Sequence, residues 1–76
     1  MTRKFALVCT NNEHWVVGIS LHDTREAARK QMRKEFDGEL GYDGYAFSYS
    51  FGDNSAQVIF SPGEFEYYWS IKEIRI

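Results

Sequence analysis

The stretch Asp23-Thr24-Arg25-Glu26-Ala27-Ala28-Arg29-Lys30-Gln31-Met32-Arg33-Lys34-Glu35-Phe36-Asp37-Gly38 decides the fold, because the period of the sequence changes there. On either side apolar residues alternate. Here Ala28, Met32 and Phe36 recur every four residues, with Ala27 beside them, which is the narrow stripe of a helix that buries one side. No Gly or Pro interrupts 24–36, and strong helix formers fill it. Asp23 suits the N-cap and Glu26 follows three residues later, as in a capping box. Gly38 suits the position just past the last turn. The pattern predicts one helix over 23–37.

Outward from that helix the period is two. In 5–10, Phe5, Leu7 and Cys9 share one side and Ala6 and Val8 the other. Asn11-Asn12-Glu13 reads as a turn, since Asn bonds its own backbone and tolerates left-handed geometry. In 14–21, Trp15, Val17, Ile19 and Leu21 face one way, so the two runs are expected to pair as a hairpin. After the helix comes a Gly-rich connection over 38–44. Tyr45, Phe47, Tyr49 and Phe51 then alternate with Ala46, Ser48 and Ser50. Gly52-Asp53-Asn54-Ser55 is a turn, and 56–61 is a partner strand with Ala56, Val58 and Phe60 on one side. Ser61-Pro62-Gly63-Glu64 turns again in the manner of type II. The last strand, 65–76, shows Phe65, Tyr67, Trp69 and Ile71 on one side and then switches to Ile74 and Ile76. That switch implies a bulge near Lys72-Glu73 or a change of burying face. The expected architecture is α+β: an antiparallel sheet with one helix packed on one face, in the order β-β-α-β-β-β, as a single domain over 1–76. One helix cannot cover five strands, so the uncovered face is where a partner would dock.

The composition narrows the function classes. In 76 residues, 43% hydrophobic and 17% aromatic content excludes a disordered chain. One cysteine, Cys9, excludes an internal disulfide. No apolar run approaches the roughly 20 residues of a membrane span, and the N-terminus lacks the pattern of a secretory signal. The expectation is a cytoplasmic protein without membrane attachment. The rings bring more apolar area than one small core takes up, which points to a protein partner or to self-association as a homodimer.

Charge is segregated along the chain. Residues 1–34 hold seven Lys or Arg and three acidic residues, whereas 35–71 hold seven acidic residues and no Lys or Arg. On the helix, Arg25, Arg29 and Arg33 stack at i, i+4 and i+8 beside Lys30 and Lys34, and Glu26 is spaced to pair with Lys30. This row reads either as a solvated face or as a binding surface for nucleic acid or an acidic partner. The net charge of -2 weighs against general DNA binding. The acidic block reads as solvated turns or as a surface that meets a basic patch.

No catalytic, cofactor or metal pattern emerges. Gly38, Gly41 and Gly44 follow a helix, whereas a phosphate cradle precedes one. Cys9, His14 and His22 show no zinc-ligand spacing, and Cys9 reads as a buried strand residue. Asp43 and Asp53 read as turn formers. The ladder Tyr45-Phe47-Tyr49-Phe51 invites comparison with RNA-binding sheets. Its flanks carry no basic residue, so it reads instead as a core side under Ala28, Met32 and Phe36. Tyr68 lies opposite its ring-bearing neighbours Tyr67 and Trp69, and is the candidate exposed anchor for an interface.

The run 23–32 together with Tyr68-Trp69-Ser70-Ile71-Lys72-Glu73-Ile74 resembles small uncharacterised bacterial proteins of mobile-element or phage type. These share a helix that opens Thr-x-Glu-Ala and carries a Met further on, and a C-terminal W-x-I-x-E strand. The resemblance implies no activity and favours an accessory or inhibitor protein that acts by binding. The sequence thus points to a non-enzymatic interaction module, with Arg25, Arg29, Lys30, Arg33, Lys34 and Tyr68 as candidate binding residues. Nucleic-acid binding through the basic helix face is the alternative, and a small oligomeric enzyme the third reading.

Overall fold

The computed structural model describes residues 2–42, 47–61 and 64–75. Among these are one helix and a five-stranded antiparallel sheet. Along the chain come β1 (Arg3–Asn11), β2 (Val16–His22), α1 (Arg25–Tyr42), β3 (Ser48–Phe51), β4 (Ser55–Ser61) and β5 (Phe65–Arg75). Across the sheet the order is β2-β1-β5-β4-β3, so β2 and β3 are the edges.

The strand register sorts the side chains. Leu7 lies opposite Ile71 and Cys9 opposite Trp69, while Ala56 pairs with both Trp69 and Phe51. Phe5, Leu7, Cys9, Ala56, Val58, Trp69 and Ile71 form one buried cluster with Ala28, Met32 and Phe36 of α1. Phe36 is its hub: its ring meets Phe51 at 5.2 Å, Trp69 at 6.1 Å and Tyr49 at 6.3 Å, all edge to face. Such geometry sets the positive ring edge against the negative ring face.

Several sequence expectations need correction. The helix runs to Tyr42, past Gly38 and Gly41, instead of ending at residue 37. The four-residue stripe simply continues to Leu40, which packs against the core, and that burial outweighs the helix penalty of glycine. The N-cap is Thr24, not Asp23: the Ala27 amide donates to Thr24 Oγ1 at 3.0 Å and the Ala28 amide to the Thr24 carbonyl at 3.1 Å. Asp23 instead accepts from Lys4 of β1, and this bond holds its carboxyl below the usual range. Glu26 forms no ion pair with Lys30; the i, i+4 pair that forms is Arg33 with Asp37, at 3.1 Å. β3 starts at Ser48, leaving Phe47 outside it and exposed. Tyr45 and the Pro62-Gly63 turn lie outside the described residues.

The bulges also sit elsewhere. β1 and β5 pair without interruption from Arg3↔Arg75 to Asn11↔Tyr67, so no bulge occurs at Lys72-Glu73. The phase change there is a change of side: Ile74 sits opposite Lys4, away from the helix cluster. The irregularities fall in β2, where Cys9↔Gly18 is followed by Thr10↔Val16, and in β4 between Ile59 and Ser61. Val17 is thus an extra residue. It breaks the shared side that alternation predicts for Trp15, Val17, Ile19 and Leu21. The β1–β2 turn is built on Asn11, whose Oδ1 accepts from the amides of Glu13 (2.9 Å) and Trp15 (3.1 Å). The left-handed residue is His14, at φ 66°, and not an asparagine.

Candidate functional site

Three surfaces gather chemistry-bearing side chains. The first is the side of the sheet turned away from the helix cluster. There the register sets Ile19 opposite Val8 and Leu21 opposite Ala6. Ala6 is covered, but Ile19 is 66% exposed and Leu21 57%. Ile74 of β5 is also exposed on that side. Lys4 of β1, Glu66, Ser70 and Lys72 of β5, Ser55, Gln57 and Ile59 of β4, and Ser48 and Ser50 of β3 also turn this way. Exposed aliphatic side chains thus stand at the β2 edge and serines on β3, with Lys4 and Lys72 on the strands between them. Isolated exposed aliphatics are ordinary, but a contiguous group beside an open strand edge marks a contact surface.

Tyr68 lies on this same side, opposite Thr10 and Gln57. It is half-buried instead of fully exposed. Its hydroxyl donates to the Glu66 carboxylate two residues back, and that bond raises the phenol above its ordinary pKa. The ring is thereby fixed, which lowers the entropy cost of using it as an anchor.

The second surface is the basic row of α1, which rests on the β3–β4 hairpin. Arg25 donates to Asn54 and its guanidinium lies 5.1 Å from the Phe5 ring centre. Arg29 pairs with Asp53 at 3.4 Å. Arg33 pairs with Asp37 and stands 5.0 Å from the Phe51 ring and 5.7 Å from Phe36. The three arginines thus tie the helix to the turn and cover ring faces. Lys30 and Lys34 form no hydrogen bond or ion pair among the described residues, and they carry the free charge of the row. Glu26, Arg29, Lys30, Arg33 and Phe51 line a shallow hollow of about 330 Å³. Asp53 and Asn54, which read in sequence as turn formers, are also what engages Arg25 and Arg29.

The third is a groove of about 420 Å³ between the C-terminal half of α1 and strands β2, β1 and β5. Cys9, Val17, Gly18, Glu35, Glu39, Tyr67 and Trp69 line it. Gly18 has no side chain to fill the gap, and the helix extension past residue 37 brings Glu39 to its rim. Glu35 accepts from Trp69 Nε1 at 3.2 Å and from Gln31 Nε2 at 2.8 Å. Burial pushes the Cys9 thiol up to about 12, with Glu35 and Glu39 adding to the rise. A thiol so placed stays protonated at neutral pH and is a poor nucleophile. His14 stands on the exposed β1–β2 turn, and the His22 ring shares a hydrogen bond of 2.8 Å with the Ser20 hydroxyl. Among the described residues no three His, Cys, Asp or Glu side chains come together as a metal ion requires, and no helix is long and apolar enough to cross a membrane.

Sequence alternation marked Ile19 and Leu21 as one side of a strand but did not say which side is buried. A helix that stops at 37 leaves no such groove; the spacing from Phe36 to Leu40 is the sequence signal for its continuation. Comparison of the chain with protein-family models, with curated proteins and with solved structures gives no match.

Proposed function

We propose that this chain is a non-enzymatic protein-interaction module of the accessory or inhibitor kind. It works through the side of its sheet that carries Ile19, Leu21, Ile74 and Tyr68. This reading takes the molecule as an α+β layer in the order β-β-α-β-β-β, with the helix packed on one face and the other face left to a partner. The observation that supports it is the exposed aliphatic group of β2, set beside an unpaired strand edge and free of formal charge from Val16 to His22. The reading places the protein in the cytoplasm with no membrane attachment and gives it no cofactor.

Nucleic-acid binding through Arg25, Arg29, Lys30, Arg33 and Lys34 draws less support. Three of those five charges already have Asn54, Asp53 or Asp37 as partners. Affinity capture from the host lysate separates the readings when it is run with the wild-type chain, with Ile19→Lys and with Arg29→Glu/Arg33→Glu, each with and without nuclease. The module reading expects retained proteins that survive nuclease and are lost with Ile19→Lys. Retention that is abolished by nuclease or by the double Glu variant would overturn it in favour of nucleic acid.

A further inference from the structure

We propose that the β2 edge takes a second copy of this chain, joined strand to strand and antiparallel about a two-fold axis at Ser20. The proposal rests on the interaction-module reading above and names its first occupant. β2 is one of the two places where the sheet ends. An edge strand presents a row of unpaired backbone groups, and proteins blunt such edges with charge, proline or shortness. β3, the other edge, is short, at four residues. β2 has seven, VVGISLH, with no proline and no formal charge.

The absence of charge favours a like partner over a foreign one. In a two-fold contact each strand meets its own sequence, so any charge near the axis would face its own kind. Each copy carries a net charge of -2; Asp23, just past the strand, is paired to Lys4, and Lys72 lies two strands in from the edge. A partner recognised by charge would find nothing on this strand to read. The axis at Ser20 keeps the ladder clear of the irregularity at Val17. It sets Ile19 against the partner's Leu21 and Leu21 against the partner's Ile19, so four aliphatic side chains close on one another. On the opposite side of the ladder Gly18 faces the partner's His22 and leaves space for the imidazole.

A contact made by one edge strand is a small interface, so the dimer is a weak one, expected at high micromolar concentration.

Sedimentation analysis of the wild-type chain from about 5 to about 500 µM spans the range in which such a contact saturates. The expected mass climbs from 8.9 kDa towards twice that value. Ile19→Lys, at an exposed position, is expected to keep an unchanged circular dichroism spectrum and to weaken association at least tenfold. In a Cys9→Ala background, Ser20→Cys is expected to give a disulfide-linked dimer when a mild oxidant removes two electrons and two protons from the paired thiols, and Ser50→Cys on β3 is expected to give none. A wild-type mass that stays at 8.9 kDa throughout overturns the proposal, as does equal cross-linking from positions 20 and 50. If the chain is monomeric and Ile19→Lys still abolishes protein capture, the second copy is excluded and the interaction module stands. If the chain is monomeric and capture is indifferent to Ile19→Lys, both readings fall.

Discussion

β2 and β3 end the same sheet, and both alternate apolar with small residues, yet they present those residues to opposite sides. Tyr49 and Phe51 of β3 lie opposite Val58 and Ala56 and meet the Phe36 ring, with Arg33 laid against Phe51. Ile19 and Leu21 of β2 lie opposite Val8 and Ala6, away from the cluster, while Gly18, Ser20 and His22 take the helix side. Period two says that a strand has two unlike sides; only register against a neighbour says which is buried. A strand whose larger side chains are turned outward is poorly accounted for by the stability of the monomer alone. That is the physical ground for assigning function to the β2 end.

The largest expected effect breaks the covered side. Phe36→Ala removes the ring shared by Tyr49, Phe51 and Trp69 and should cost about 3–5 kcal/mol, a large fraction of the stability of so small a domain. Urea unfolding should show a collapsed midpoint or no folded baseline.

Next comes pH. The Cys9 thiol is pushed up to about 12 in the folded chain, above its unfolded value, so its contribution is intact below the unfolded pKa and is lost as pH rises. As pH climbs above about 9 the loss from this group should steepen towards about 1.4 kcal/mol per pH unit. Cys9→Ala should flatten that slope; Tyr68, also raised, adds its own loss above its ordinary range. Denaturant midpoints against pH for the two chains give the comparison.

A smaller, opposite effect is expected at Gly38. A methyl group there meets nothing within 4 Å, and the residue sits inside α1. Gly38→Ala should stabilise the chain by about 1 kcal/mol, read from the same unfolding curves.

The smallest effect sharpens the contrast of the edges. Leu21→Ser, at a 57% exposed position, should change the stability of the dilute monomer by less than about 0.5 kcal/mol. The equivalent change at Phe51 should cost severalfold more. Equal losses at the two positions would mean that Leu21 is part of the monomer core.

The elements were legible because each carries its period over several repeats: Ala28, Met32 and Phe36 for the helix, and alternation for the strands. Boundaries were less so. Gly38 carries a chemical signal for termination, but burial of Leu40 one turn later overrides it, and Thr24 outcompetes Asp23 as the cap because Lys4 draws the aspartate away. The Val17 irregularity could not be read at all, since it exists only in the pairing of β2 with β1. Of the candidate binding residues, the arginines were visible as a row, but their partners Asp53, Asn54 and the Phe51 ring belong to a hairpin distant in sequence. Ile19 and Leu21 were visible as a side of a strand without the register that turns them outward.

Amide hydrogen exchange, followed residue by residue at low and high protein concentration, tests the β2 assignment most directly. The account predicts that amides within Val16–His22 slow as concentration rises while those of Ser48–Phe51 keep their rates. Unchanged exchange along β2, or equal slowing at both edges, would contradict it.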